Sequence, residues 1–357
     1  MIDKNRTSVF RLALLKWDKM DNDRPMPWKG EKDPYKIWLS EIILQQTRVE
    51  QGWAYYERFI KSFPTVQSLA AASETKVFKL WEGLGYYTRC KNLIATAKFI
   101  AHELNGEFPS SYDAILDLKG IGPYTAAAIA SFAYNLPYAV VDGNVFRILA
   151  RYFGIDTAID SAAGKRLFTL MANDLLDKKQ AGIYNQALMD FGAVMCKPQL
   201  PICSTCPLQK SCKAYADNRV NEWPVKEKKI IKKSRWFYYL IIPQGKKIAV
   251  RKRTGKDIWE NLYEFPLVES TKAISLKKLI QTAAFKKWME GAYFVISPIG
   301  TLFQQQLTHQ TIKGKFLQVQ IKGNISLAGY EMVSLKKLST LPFPKLIAAF
   351  LEKEYRK

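Results

Sequence analysis

The sequence predicts two domains in tandem, an all-α domain followed by an α+β domain, and three observations carry this. Its 357 residues exceed what a single hydrophobic core usually organises. Apolar residues recur with helical spacing as far as about residue 217, and after Trp236 the pattern changes to short alternating runs. Between them residues 218–235 become basic and poor in apolar side chains, with Lys226, Lys228, Lys229, Lys232, Lys233 and Arg235, which reads as a linker able to track phosphates. The expected division is therefore 1–217, 218–235 and 236–357.

Composition narrows the partner. Lys and Arg number 54 against 32 Asp and Glu, a net charge of +22, which points to a polyanion, nucleic acid above all. No apolar run has spanning length, and Met1 to Arg6 lacks the apolar core of a signal peptide, so a cytoplasmic protein is expected, in a bacterium associated with the nucleoid through DNA. Four of the five cysteines fall between Cys196 and Cys212, which suits a metal site in a reducing compartment better than a disulfide framework.

Taken in order, Arg6 to Met20 reads as an amphipathic helix, followed by a polar loop to Gly30 with the unusual run Arg24-Pro25-Met26-Pro27-Trp28. Asp33 and Pro34 form an N-cap and first-turn pair opening a helix from Tyr35 to Arg48. Glu41 lies in that helix between Trp38, Leu39 and Ile42, Ile43. A desolvated carboxylate there would have a raised pKa, as a general acid near neutral pH needs; otherwise it is a solvated position beside Gln45 and Arg48. Ser110 to Lys119 reads as a short helix opened by a capping box at Ser110 to Asp113.

The turn Leu118-Lys119-Gly120-Ile121-Gly122-Pro123 follows, and the next helix begins at Pro123. Gly120 and Gly122 allow positive φ or close approach of a ligand, and a helix start there directs unpaired N–H groups outward, which suits a DNA phosphate. Asp142, a helix's length downstream, stands before the apolar pattern Val145, Phe146, Ile148, Leu149 and is well placed as an N-cap. Helices are expected at Lys165–Leu176 and Ile183–Val194, the latter carrying Gln186 and Met189. The spacing Cys196-x6-Cys203-x2-Cys206-x5-Cys212 lets four thiolates reach one centre, and from spacing alone zinc and an iron–sulfur cluster both remain open.

In the second domain strands are expected at Trp236–Ile242, Ile248–Arg251, Tyr293–Ile296, Gly300–Thr308 and Phe316–Ile321, with a turn at Gln244-Gly245. Helices are expected at Leu276–Met289 and Lys345–Tyr355.

These motifs carry a resemblance. The segment from Leu118 to Arg147 resembles the helix-hairpin-helix of DNA glycosylases of the endonuclease III superfamily, with the hairpin at about 111–135. Leu39-Ser40-Glu41-Ile42-Ile43-Leu44-Gln45-Gln46-Thr47-Arg48-Val49 is similar to the signature of adenine DNA glycosylases, the MutY family, and Gly83-Leu84-Gly85-Tyr86-Tyr87 to a second motif of that family. The cysteine spacing is that of its [4Fe–4S] loop, here 196–212. Trp259 to Pro266 resembles a segment of the family's C-terminal Nudix-like domain, while residues 270–290 lack the glutamate cluster of a Nudix hydrolase, which implies binding without hydrolysis.

The resemblance implies a multidomain protein, an all-α helix-hairpin-helix core with an iron–sulfur loop followed by an α+β Nudix-like domain. It implies a monomer acting on double-stranded DNA and hydrolysing the glycosidic bond of adenine opposite 8-oxoguanine or guanine. Glu41 would be the acid and Asp142 the stabiliser of the sugar cation, with Tyr124 and Asn144 orienting them. Trp28, Gln46, Thr47, Leu84 and Tyr86 would meet substrate or base stack, Gly120 and Gly122 the backbone, and Gln186 and Met189 the adenine pocket, where the family leads one to expect a glutamate at position 186. Cys196, Cys203, Cys206 and Cys212 would hold the [4Fe–4S] cluster. Leu307-Thr308-His309 stands where the family has Phe-Ser-His against 8-oxoguanine, so Thr308 and His309 retain the hydroxyl and imidazole without the ring. Tyr124 occupies the position at which endonuclease III carries its Schiff-base lysine, which argues against strand cleavage through an imine.

Overall fold

The computed structural model describes residues 4–227, 232–290, 292–322, 325 and 327–355. Lys228 and Lys229 of the basic linker, and Met1 to Asp3, lie outside the described residues. The first part of the chain is helical: α1 (Lys4–Asp21), α2 (Pro34–Leu44), α3 (Val49–Ser62), α4 (Val66–Ala70), α5 (Glu74–Trp81), α6 (Tyr87–Glu103), α7 (Tyr112–Leu116), α8 (Pro123–Tyr134), α9 (Gly143–Phe153), α10 (Ala162–Leu175), α11 (Ala181–Val194) and α12 (Lys213–Ala216). The second part contains β1 (Lys233–Ile241), β2 (Pro243–Gln244), β3 (Lys247–Lys252), β4 (Tyr263–Glu264), β5 (Leu267–Ser270), α13 (Leu276–Ile280), α14 (Ala283–Trp288), β6 (Tyr293–Gln306), β7 (Gln310–Lys322), β8 (Glu331–Ser334), α15 (Leu335–Leu338) and α16 (Lys345–Tyr355). Among the described residues no helix is long and apolar enough to cross a membrane.

Two compact units result, Met1–Ala71 with Asn92–Lys228, and Ala72–Lys91 with Lys229–Lys357. In the first, Asp33 caps α2 by accepting from the Tyr35 N–H, with Pro34 in the first turn. The helix expected to reach Arg48 ends at Leu44, because Gln46 takes the left-handed conformation (φ 57°) and turns the chain. At α7 the cap is Ser111, which accepts from the Ala114 N–H; an alanine at the third helical position cannot reciprocate, so the capping box expected at Ser110 is replaced by a single cap bond. The small residues of α8 are buried from Thr125 to Ser131, and Gly182 of α11 lies against its backbone: a Cβ at Gly182 would come within 2.6 Å of the Ser131 carbonyl oxygen. Phe10, Leu14, Val145, Leu149, Phe168, Tyr184 and Phe191 form a core joining α1, α9, α10 and α11.

The second unit holds a mixed sheet in the order β5-β1-β7-β6, with β1 and β7 parallel and the other pairs antiparallel. A second sheet runs β2-β3-β4, and β8 pairs with β3. The two strands expected at Tyr293–Ile296 and Gly300–Thr308 are one strand, β6, whose register shifts between Ile299 and Phe303 around Gly300 at φ 64°. The helix expected over Leu276–Met289 is two, because Thr282 interrupts it and caps α14 by accepting from the Phe285 N–H. Leu279 and Phe285 from these helices pack on Tyr238, Leu240, Leu317 and Val319 of the sheet.

Candidate active site and cysteine loop

Glu41 occupies the middle of α2 with 5 % of its surface exposed. Burial pushes its carboxyl up to about 7; the Tyr124 hydroxyl donates a hydrogen bond that lowers it, and the Asp142 carboxylate raises it. Tyr124, in the first turn of α8, has its own pKa driven upward by burial and by both carboxylates, so it stays a donor. Helices from distant parts of the sequence thus bring Glu41, Tyr124 and Asp142 together.

Asp142 is the N-cap of α9 and also belongs to this group. Its Oδ1 accepts from the N–H groups of Asn144 (2.8 Å) and Val145 (2.8 Å), and its Oδ2 from Asn144 Nδ2 (2.7 Å). Burial raises its pKa, opposed by these bonds and by the Arg147 guanidinium. Asn144 is fixed in turn, its Oδ1 accepting from Arg147 Nη2 at 2.8 Å, while the same Nη2 donates to the Gly192 carbonyl at 2.7 Å. Gly192 leaves room for this: a Cβ there would stand 2.5 Å from Asn144 Cβ. The pair therefore differs in environment, one carboxyl in an apolar wall and one supported by donors, so ionisation is favoured at Asp142 relative to Glu41.

The raised Glu41 pKa has a cost in stability with a definite sign. Its folded value of about 7 exceeds the ordinary 4.5, so its contribution is fully present below pH 4.5 and is lost as pH rises through 7. At about 1.36 kcal/mol per unit, ionised Glu41 destabilises the fold by up to about 3 kcal/mol. Glu41→Gln is therefore expected to raise the melting temperature at pH 8, with the gain shrinking towards zero at pH 4.5; thermal unfolding of both proteins across that range checks it.

An open cleft reaches Glu41, with Trp28, Ile37, Phe132, Ile183 and Gln186 among its walls. Asp18, Lys29, Glu31 and Lys32 also line it, and its apolar walls suit a planar base. Trp28 is buried, edge-on to Tyr56 at 5.3 Å. Gln186 is half-buried, and Met189 packs beside Ala127, Ala128 and Val140 rather than on the cleft. Sequence reasoning missed Asp190, fully buried one turn beyond Gln186. It accepts from Arg24 Nη1 (2.7 Å), Asn22 Nδ2 (3.0 Å) and Gln186 Nε2 (3.0 Å), and pairs with Lys29 Nζ (3.2 Å). The odd loop sequence around Arg24 was the signal that it had a distant partner.

At the hairpin turn Gly120 has φ 81°, and beyond Gly122, the uncapped start of α8, a Cβ would meet nothing within 4 Å. The space beside Gly122 leaves room for the approach of a backbone phosphate. Gln46 is exposed on its left-handed turn, with Thr47 half-buried beside it.

In the second unit Leu84 is buried between Gly83 and Gly85, while Tyr86, directly after Gly85, is 44 % exposed with φ 50°. Its hydroxyl and that of Thr308 are 2.6 Å apart. Thr308 and the exposed His309 form the tip of the β6–β7 hairpin, closed by the Leu307 N–H donating to Gln310 O at 2.8 Å. Cys90 is buried.

Cys196, Cys203, Cys206 and Cys212 line one cavity with Met195, Ile202 and Arg151. Arg151, 3 % exposed, directs Nη1 at Cys196 Sγ (3.4 Å) and at the Lys197 carbonyl (2.7 Å). Among the described residues no three His, Cys, Asp or Glu side chains are grouped as ligands of a metal ion.

A family model described as HhH-GPD superfamily base excision DNA repair protein matches residues 39–171, and a NUDIX domain model matches 237–353. An adenine DNA glycosylase of Buchnera aphidicola subsp. Baizongia pistaciae (strain Bp) is 36% identical over 310 residues, 86% of this chain and 84% of the relative. A thermostable thymine-DNA glycosylase structure is similar at 28% identity with a TM-score of 0.56, over 60% of this chain and 98% of that one. An endonuclease III in non-covalent complex with DNA shares the helical fold, at 22% identity and TM-score 0.51 over 61% and 99%. With a relative so similar over most of both sequences, this chain belongs to the adenine DNA glycosylase family of base-excision repair hydrolases.

Proposed function

We propose that the protein removes adenine opposite 8-oxoguanine or guanine, leaving an abasic site with the strand intact. The observation that carries this is the buried Glu41 with its pKa near 7, hydrogen-bonded to Tyr124 and next to Asp142, the N-cap of α9. Adenine flipped into the cleft would meet Glu41, which donates its proton to N7. The C1′–N9 bond breaks with its electron pair passing to the base, which leaves neutral. Positive charge appears on the sugar and is stabilised by Asp142, held as an anion by the donors of α9. Water then adds to C1′ and gives up a proton. Tyr124 supplies no amine, so no imine forms and the strand is not cut.

Flipping costs a few kcal/mol of stacking, offset by side chains that enter the stack. Gln46 and Tyr86 stand on left-handed turns that push them outward. Thr308 and His309 would face 8-oxoguanine, and the open α8 start beside Gly122 the backbone. Residues 1–217 would form the glycosylase region and 236–357 the lesion-reading domain. Of the basic residues 218–235 between them, Lys233 and Arg235 belong to β1 and Arg235 pairs with Asp257 and Glu269; Lys226 and Lys232 would track phosphates, and 228–231 lie outside the described residues. Cys196, Cys203, Cys206 and Cys212 would hold a [4Fe–4S] cluster; one shared cavity and a buried guanidinium at Cys196 fit an anionic thiolate centre. Bound there, it supplies structure and local charge.

Single-turnover release from duplexes that differ only in the base opposite adenine tests the reading. Release opposite 8-oxoguanine and guanine and none opposite thymine are expected, with strands intact until alkali is added. Excision of thymine glycol with strand cleavage would favour an endonuclease III activity; binding without release would leave a scaffold.

A further inference from the structure

We propose that the Nudix-like domain positions the turn carrying Tyr86, through a clamp made by Lys79 and Glu82, and so supports base extrusion as well as contact with the lesion. The inference rests on the reading above that this turn enters the base stack. Residues 72–91 lie inside the stretch that the glycosylase family model matches, yet they form one compact unit with residues 229–357. At the end of α5, Lys79 Nζ donates to the Leu341 carbonyl (3.0 Å) and to Glu82 Oε2 (2.7 Å). The other oxygen of Glu82 accepts from the Phe343 N–H at 2.8 Å. Lys79 and Glu82 are 27 % and 17 % exposed, so the pair is shielded more than an ordinary surface ion pair.

The receiving segment is itself anchored. The Pro342 carbonyl accepts from the Tyr263 N–H at 2.8 Å, and Phe343, 1 % exposed, stacks on Phe265 at 5.8 Å. The turn leaving the clamp has little regular structure of its own, with Gly83, Gly85 and Tyr86 at φ 91°, 82° and 50°. A non-glycine residue in that region is strained by about 1–2 kcal/mol and persists only where its surroundings hold it. Trp81 Nε1 donates to Gly85 O (2.9 Å), and the Arg89 guanidinium lies over the rings of Trp81 (5.3 Å) and Tyr86 (5.2 Å), which ties the turn to the end of α5. On its far side Lys91 pairs with Glu260 at 2.9 Å, exposed and weak by comparison. Lys79 and Glu82 are therefore positioning residues: they act on the stack through Tyr86.

The test uses the full chain. Adenine release from the 8-oxoguanine duplex is measured for wild type, Glu82→Ala, Glu82→Gln and Lys79→Met. Extrusion is followed by the fluorescence of 2-aminopurine beside the lesion, in the Asp142→Asn background so that adenine stays attached to its sugar. Glu82→Ala and Lys79→Met are expected to slow release at least tenfold and to lower the fluorescence change several-fold, while the Kd for undamaged duplex stays within twofold. Glu82→Gln keeps an acceptor for the Phe343 N–H and should recover most of both signals. Lys79→Met keeps the alkyl stem and serves if Glu82→Ala does not fold. Wild-type release and full fluorescence in the clamp variants would overturn the proposal, as would an equal loss of affinity for every duplex. Failure of the wild type itself to release adenine would instead overturn the proposed function.

Discussion

Glu41→Gln should slow single-turnover adenine release by about 10²–10⁴-fold, the range of a lost general acid, and Asp142→Asn by about 10²–10³-fold, the range of a lost preorganised charge partner. Both substitutions keep shape. Asparagine caps a helix as well as aspartate does, so in Asp142→Asn the amide oxygen would still accept from the N–H groups of Asn144 and Val145, and α9 would keep its start. In Glu41→Gln the new side chain would still accept from Tyr124, and a carboxylate whose ionisation costs stability is gone. Neither variant should lose its affinity for the mispaired duplex by more than a few-fold. Binding isotherms beside single-turnover rates separate the two effects, and an equal loss in both would mean that these carboxyls hold the fold rather than the chemistry.

The second large effect is on stability. Asp190→Ala should destabilise the first unit by about 3 kcal/mol, the lower end of the cost of breaking a buried ion pair. The lower end applies because Arg24 and Lys29 are 20% and 31% exposed and retain a path to water once Asp190 is gone. Asp190→Asn keeps acceptor and volume but loses the charge, and should cost about half as much. Gln186 also loses the acceptor that orients its amide, so release by a still-folded variant should fall as well. Denaturant unfolding followed at tryptophans of the first unit checks this; a change below about 1 kcal/mol would show that the Asp190 network is dispensable.

How much was legible follows from whether a residue's partner lies nearby in sequence. Asp33 with Pro34, and Asp142 before its apolar helix, are local caps and read directly. Glu41 read as a carboxylate in an apolar run, which burial then made chemically distinct. Asp190 did not, because its cationic partners lie 166 and 161 residues away and one acidic position in a helix reads as solvated. The early end of α2 depends on Gln46 adopting positive φ, which no glycine announces. The break between α13 and α14 rests on Thr282 capping a new helix so that Leu279 and Phe285 can both reach the sheet. The association of residues 72–91 with the C-terminal part of the chain was also invisible, since Lys79 and Glu82 form an ordinary surface pair in sequence and find their backbone partners about 260 residues on.

The most direct measurement is the pH dependence of adenine release from the 8-oxoguanine duplex under single-turnover conditions, for wild type and Glu41→Gln. With Glu41 near pKa 7 as the proton donor, the wild-type rate should be level below that pH and fall about tenfold per unit above it, while the variant is slow and lacks this limb. A wild-type rate that stays constant to pH 9, or a Glu41→Gln variant that releases adenine at the wild-type rate, would contradict protonation of the leaving base by Glu41.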